Sequence, residues 1–407
     1  MESYFNIGIG AHWLAPMGLF FSIIEISSII CYHCLMPKTA KKNILVIANF
    51  ASTLYDFRAE LLIELLKEYH VVCAVPDHIK EKEILALGCE FAFTPMNRRG
   101  MNPFEDYGLY RNYRRLIKEK KPVLVLLFTV KPNIYGGLAC RLARVPYLTS
   151  VTGLGSSFEK RGFLKWLVVI LYRAALKRAA CVFFQNSENK GIFDQYRISG
   201  KKSRLVSGSG VNIKNFAMEP YPPDEGFCFL FVGRVMREKG IEEFLAAAEA
   251  LHSESVRFQI LGFCEEQYQS RLDQLEVRGV IEQLGFLPDI KKYYAAASAV
   301  VLPSYHEGLS NALMEASAIG RPVFASDIAG CREVFDDGET GFGFAKGDSD
   351  GLIRALKKFM AIPLNERALM GRKAREKMGR EFNREKVVAE YMEEINEVRM
   401  KNAQSAK

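Results

Sequence analysis

The sequence predicts an α/β protein made of two Rossmann-like units that face each other across a cleft. Three observations carry this. Short, continuous apolar runs alternate with amphipathic segments along nearly the whole chain, the pattern of strands buried on both faces by crossover helices. A Pro-rich polar interruption at 219–226 (EPYPPDEG) separates two such series. The length, 407 residues, suits two cores rather than one.

The first series opens with NILVIANF at 43–50, a strand, followed by the helix RAELLIELLKEY. HVVCAVP and EFAFTPM are strands on either side of a helix that stops at Gly88. The basic helix DYGLYRNYRRLIKEK precedes the strand PVLVLLFT, and the helix NIYGGLACRLAR precedes PYLTSVTG. Lys160 to Ala180 reads as a helix with basic residues around an apolar body, equally consistent with a core helix and an interfacial one. ACVFFQNS is the next strand. In the second series FCFLFVGR, VRFQILGF, VVLPSY and PVFAS are strands, and IEEFLAAAEALH and ALMEASAI are helices. GCREVF is expected to form a short helix, and two helices close the chain.

Charge divides the same way. Residues 36–215 carry 30 Lys/Arg against 14 Asp/Glu, whereas 216–407 carry 25 against 31. The first half should therefore prefer anionic partners: phosphate-bearing lipid, a membrane surface or nucleic acid. The nine cysteines are scattered, most of them in apolar runs, so no disulfide framework is implied. Cys31-Tyr-His-Cys34 is a single C-x-x-C and a weak zinc or redox signal.

Residues 1–35 contain no Lys or Arg, and Leu14 to Leu35 is nearly all apolar and long enough to span a membrane. Lys38, Lys41 and Lys42 follow, which would hold the body on the cytoplasmic side. A second reading makes Met36 the natural start and 1–35 a dispensable leader.

Two stretches carry chemistry. From Ser304 to Gly343, Glu307 stands at the end of a buried strand, and Glu315 stands about a turn into the next helix. The turn Gly308-Leu309-Ser310-Asn311 lies between them, with Ser310 or Asn311 as the cap, and its amides form a ready anion site. At 231–240, Gly233, Arg234 and Lys239 occupy a strand-to-helix loop where two cations could neutralise a departing diphosphate. A Walker loop and a strand–GxGxxG–helix are both missing, which argues against a P-loop and an NAD site. Asp348-Ser-Asp350 reads as a helix cap rather than a metal site, and no histidine pair has zinc spacing, so no metal is expected.

The run HEGLSNALMEASAIGRPVFASDIAGCREVFDDGETGFGF resembles the signature of the family-four retaining glycosyltransferases of GT-B fold. Its Glu-x7-Glu is met by Glu307 and Glu315, and the family's Gly-Arg-x4-Lys loop by Gly233, Arg234 and Lys239. GSGVN at 208–212 and VFFQNS before it also match. The resemblance spans about 36–395. In the first half PMNRRGMNP, TVKPNIYGGLAC and SVTGLGSSF look like the branch that builds capsular, O-antigen or lipid-linked oligosaccharides.

The resemblance implies an acceptor-side domain at 36–217, a nucleotide-sugar domain at 218–380, and a C-terminal helix, 381–407, that returns to the first domain. It implies that Arg234 and Lys239 hold the donor pyrophosphate and that Glu307 contacts donor-sugar hydroxyls. Amides of Gly308, Leu309, Ser310 and Asn311 would bind phosphate or sugar, and Glu315 the ribose. Many relatives carry a His where this chain has Thr152-Gly153, so Thr152, Gly153 or a backbone group serves there instead. Arg98 and Arg99 belong to the acceptor side. The implied partners are a nucleotide-sugar donor, a polyprenyl-diphosphate-linked glycan acceptor and an anionic membrane surface, not nucleic acid. No cofactor is implied beyond the nucleotide sugar as co-substrate. The implied location is the inner face of the cytoplasmic membrane, as a peripheral protein or one with an N-terminal anchor. The competing readings are a nucleotide-sugar epimerase on the same scaffold and a catalytically idle glycan-binding subunit.

Overall fold

The computed structural model describes residues 41–405 apart from 99, 101, 154–161 and 288, and leaves the side chains of 163, 164 and 266 undescribed. The leader at 1–35, Arg99 and the start of the basic segment at 160 lie outside the described residues.

The first sheet has seven parallel strands in the order β3-β2-β1-β4-β5-β6-β7. They are β1 Asn43–Ile47, β2 His70–Val75, β3 Glu90–Phe93, β4 Leu124–Phe128, β5 Tyr147–Val151, β6 Cys181–Phe184 and β7 Ser203–Leu205. Side chains alternate across it: Leu45 and Ile47 of β1 enter one core, Ile44 and Val46 the other. Both faces are therefore apolar, which is why these strands read as unbroken hydrophobic runs.

The second sheet has six strands, β8 Phe227–Val232, β9 Val256–Leu261, β10 Glu282–Gly285, β11 Ala299–Leu302, β12 Val323–Ser326 and β13 Gly341–Phe344. Their order is β10-β9-β8-β11-β12-β13, the same winding as the first sheet without its last strand. The order reverses between β1 and β4 in one sheet and between β8 and β11 in the other, and ligands of open α/β sheets bind at that reversal, beyond the carboxyl ends of the strands.

The helix Arg384–Ser405 packs on the first sheet's second face, where Val387, Tyr391 and Ile395 join the core of β1 and β2. The Tyr391 ring packs at a tilt against Phe183, centroids 4.2 Å apart, and its hydroxyl donates to Ser150 Oγ at 3.0 Å. The C-terminal helix thus returns to the first half, as expected from the fold class.

Two local details differ from expectation. The helix expected at 133–144 begins as a π-helical turn, Pro132–Gly136, before the α-helix Gly137–Ala143. The GCREVF stretch folds as turns, not as a helix. Its Gly330 takes a positive φ of 85°, and Glu333 is spent on accepting from the Gly330 amide at 2.6 Å. Asp348 caps the helix Ser349–Met360 by accepting from the Gly351 amide at 2.8 Å.

Candidate active site

The second half's reversal point brings together the two stretches singled out in the sequence. β8 and β11 are hydrogen-bonded neighbours, with Phe229 opposite Ala299 and Leu230 opposite Val300. The loops that follow them must therefore lie side by side. Gly240 sits between them with φ 74°, and a Cβ there would stand 2.0 Å from the Pro303 carbonyl oxygen, so only glycine permits the approach. The Tyr305 amide donates to Glu238 O at 2.9 Å, and the Tyr305 hydroxyl donates to the buried Glu243 carboxylate at 2.6 Å. These bonds fix the loop that carries Glu307.

Lys239 Nζ lies 2.5 Å from Glu307 Oε1, and Ser304 Oγ donates to the same oxygen at 2.8 Å. Both charged side chains are mostly buried, 23% and 11% exposed, so the pair is poorly screened. Arg234 is exposed and has no ion-pair partner among the described residues. One basic group is thus neutralised within the site, while the other faces open space.

The helix Asn311–Ile319 starts at the floor of this space. Ser310 is its cap, its Oγ accepting from the Leu313 amide at 3.4 Å. The Ser310 amide donates to Gly330 O at 2.9 Å and so cannot serve a ligand. The amides of Gly308, Leu309 and Asn311 have no acceptor among the described residues, which leaves three donors at a helix N-terminus.

Glu315, one turn further, is buried and accepts from the Tyr294 hydroxyl at 3.1 Å. Burial pushes its carboxyl up to about 7; the bond from Tyr294 and the charge of Arg384 oppose this, while Asp56 adds to it.

The first half closes the cleft through close contacts. Gly308 has no side chain because a Cβ would lie 1.9 Å from the Thr152 carbonyl oxygen. Asn186, which caps the helix Ser187–Gln195, also donates to Gly308 O at 2.6 Å. Ser209 Oγ donates to Asn311 Oδ1 at 2.7 Å. Arg384 joins Glu60, at 3.0 Å, to the carbonyl of Gly210 at 3.2 Å. Asn186 of VFFQNS and Ser209 of GSGVN thus hold the loop that follows Glu307 from the first half.

Two cavities result. One, ≈ 840 Å³, is lined by Gly233, Arg234, Lys239, Glu307, Leu309 to Asn311 and Glu315. The other, ≈ 1140 Å³, is lined by Arg98, Thr152 and Gly153 from the first half and by Arg234, Met236 and Arg237 from the second. Arg234 borders both, so the two spaces meet at that side chain. Arg98 also lies over the Phe50 ring at 4.4 Å.

Sequence reading missed Ser304, Tyr294, Arg384 and Ser209. Ser304 had a signal, lying three residues before Glu307. Tyr294 and Arg384 reach the site from distant elements and had none.

Two like-wound parallel sheets with a polar cleft at their carboxyl ends define a class of two-domain α/β proteins that bind ligands at the strand-order reversal. The comparisons place the chain within it. The model of the glycosyl transferases group 1 matches residues 214–377, and that of the glycosyl transferase 4-like domain residues 43–186. The chain belongs to this family of glycosyltransferases. It is 24% identical over 314 residues to the N,N'-diacetylbacillosaminyl-diphospho-undecaprenol alpha-1,3-N-acetylgalactosaminyltransferase of Campylobacter jejuni, covering 72% of this chain and 83% of that one. With the capsular polysaccharide biosynthesis glycosyltransferase CapM of Staphylococcus aureus it shares 22% over 344 residues, covering 79% and 89%. An Escherichia coli UDP-Gal:alpha-D-GlcNAc-diphosphoundecaprenol alpha-1,3-galactosyltransferase is 26% identical over 283 residues, 65% and 73% of the two chains. Among solved structures, Anabaena HepE in complex with UDP and glucose has the same fold, with a TM-score of 0.72 at 16% identity over 88% of this chain and 100% of that one.

Proposed function

We propose that the protein is a retaining glycosyltransferase. In this reading it moves a hexose or N-acetylhexosamine from a UDP-sugar to a polyprenyl-diphosphate-linked glycan in surface-polysaccharide assembly. The observation that carries the reading is the convergence of Arg234, Lys239, Glu307 and Glu315 on one cavity at the β8/β11 reversal. The names of the Campylobacter and E. coli relatives, both acting on diphospho-undecaprenol-linked sugars, support the acceptor class, and the E. coli name supports UDP.

In this reading the diphosphate lies against Arg234, Lys239 and the free amides of Gly308, Leu309 and Asn311. Breaking the glycosyl–phosphate bond moves an electron pair onto the β-phosphate oxygen, and those five groups stabilise the charge. No metal is required for that role. Glu307 accepts from donor-sugar hydroxyls, and Glu315 from the ribose. The acceptor hydroxyl attacks the face the phosphate leaves, and its proton passes to the departing phosphate oxygen, so the configuration is retained. Glu307 is not assigned as a glycosidase-type nucleophile in this reading, because same-side attack needs no covalent intermediate and its carboxylate serves the donor-sugar hydroxyls.

The first half's basic surplus fits peripheral docking on the inner face of an anionic membrane, where such acceptors reside. Among the described residues no helix is long and apolar enough to cross a membrane.

The test is product analysis by mass spectrometry with UDP-, GDP- and ADP-sugars against polyprenyl-diphosphate-linked acceptors, with the anomer assigned by NMR. A product of inverted configuration overturns the mechanism. Epimer release without any acceptor would replace the reading with the epimerase.

A further inference from the structure

The larger cavity contains a polar cluster that lies outside the two loops proposed to hold the donor. Asp106, in the first turn of the helix Pro103–Lys120, accepts from Lys131 Nζ at 2.6 Å and from the Tyr135 hydroxyl at 2.8 Å. Lys131 and Asp106 are only 14% and 15% exposed, and all three line the cavity. The site lies at the first sheet's own reversal point. Asn49 follows β1, Lys131 follows β4, and β1 pairs with β4. It is the first half's counterpart of the place that holds Arg234 and Glu307 in the second.

The chain adopts an unfavourable conformation to reach this geometry. Thr129, the residue after β4, has φ 76°, a left-handed backbone that β-branched residues almost never adopt. Its hydroxyl is buried without a hydrogen-bond partner. The π-helical turn Pro132–Gly136 follows directly. Strained backbone, an unpaired buried hydroxyl and a π-turn each carry a penalty, and such penalties collect where a ligand is handled. Their combined effect is to turn the chain so that Lys131 enters the cavity wall beside Asp106.

The cluster retains bonding capacity. The ammonium has three donors and gives one to Asp106; each carboxylate oxygen has a lone pair left. Tyr107 and Tyr110, with ring centroids 6.2 Å apart, line the same space. Donors and acceptors side by side, next to aromatic faces, match a pyranose ring with its mixed hydroxyls and apolar C–H face.

We propose that Lys131, Asp106 and Tyr135 form the subsite for the terminal pyranose of the acceptor, with Tyr107 or Tyr110 against its ring. The inference rests on the glycosyltransferase reading and adds that the acceptor is recognised as a saccharide, not as a bare lipid phosphate.

Two measurements on the full chain test it. Transfer kinetics and UDP affinity are compared for wild type, Tyr135→Phe and Lys131→Met. Because Lys131→Met leaves Asp106 without its counter-charge, Lys131→Met/Asp106→Asn is run beside it. The acceptor KM should rise at least tenfold in both lysine variants and severalfold in Tyr135→Phe, with UDP affinity and Tm unchanged. An unchanged acceptor KM with a lowered Tm would show that the cluster merely ties two elements together, and overturns the subsite. The second measurement needs no turnover: saturation-transfer NMR with methyl glycosides of hexoses and N-acetylhexosamines. Wild type should show signal and Lys131→Met little; equal signals overturn the subsite. If wild type transfers no sugar, the glycosyltransferase reading fails by itself, and the NMR comparison still decides the saccharide site.

Discussion

Lys239 Nζ and Glu307 Oε1 stand 2.5 Å apart, although 68 residues separate them. The proposed roles assign the lysine to phosphate and the glutamate to sugar. Binding a complete donor must therefore exchange one contact for two: the diphosphate takes the ammonium, and the freed carboxylate takes a sugar hydroxyl. UDP alone provides only the first exchange.

Glu307→Gln should consequently separate the two ligands. UDP should bind more tightly, by roughly 1 kcal/mol, because the lysine no longer leaves a charged partner. Transfer should fall, because the amide is a weaker acceptor for the sugar hydroxyl. Calorimetry with UDP beside steady-state kinetics reads both; weaker UDP binding in the variant contradicts the exchange.

Arg234→Ala and Lys239→Ala should each lower turnover by about 2–4 kcal/mol, the scale of losing a charge-stabilising group. Arg234 should show the purer kcat effect, since it has no ion-pair partner among the described residues to leave unpaired. Wild-type-like kcat in both variants would refute the clamp.

Glu315 makes the site pH-dependent. Its folded carboxyl is raised to about 7 from the ordinary glutamate value of 4.5. Between those values the native state holds a proton that the unfolded state has lost, so this group's contribution to stability is full below the lower value and disappears as pH rises past 7. Glu315→Gln should remove that slope and be the more stable protein at pH 8, by on the order of 2 kcal/mol. Donor affinity should run the opposite way, improving from pH 6 to 8 as the carboxylate becomes a full acceptor for the ribose, and flattening in Glu315→Gln. Chemical denaturation and UDP titration across that range check both slopes.

Arg321 is fully buried and reaches five carbonyls, among them Pro220 O at 2.6 Å, Ala295 O at 2.7 Å, Gly320 O at 3.0 Å and Glu219 O at 3.2 Å. It ties the segment between the two sheets to the end of the helix that bears Glu315. Arg321→Met should cost about 3 kcal/mol or more, because all the guanidinium's bonds to the five carbonyls are lost together. Lysine should not rescue it, as an ammonium lacks the planar fork. Thermal unfolding monitored by circular dichroism gives the answer.

Gly308→Ala should leave both sheets folded but hold the cleft apart, since the methyl would collide with Thr152 O and, at 2.6 Å, with Gln185 Oε1. Turnover should drop at least tenfold at nearly unchanged Tm, with a larger radius of gyration in small-angle scattering.

The strand–helix alternation, the interruption at 219–226 and the two loops proposed to hold the donor were legible in the chain because they are local. Buried parallel strands must be apolar, and anion-binding turns need glycine and a cap at fixed spacing. Other features were not legible because they depend on which strands become neighbours. Only the β8–β11 pairing sets Lys239 against Glu307. The Gly330 carbonyl withdraws the Ser310 amide, and burial, which the local sequence does not reveal, raises the Glu315 carboxyl. Lys131 and Tyr135 lie in the TVKPNIYGGLAC run, but nothing in that run or around Asp106 indicates that the three side chains meet, because the helix Pro103–Lys120 supplies Asp106 from a separate element. Residue types and spacings along the chain thus determined which groups could handle phosphate and sugar. The order of strands in the sheets, with the desolvation it imposes, decided which groups touch and which of them carry charge.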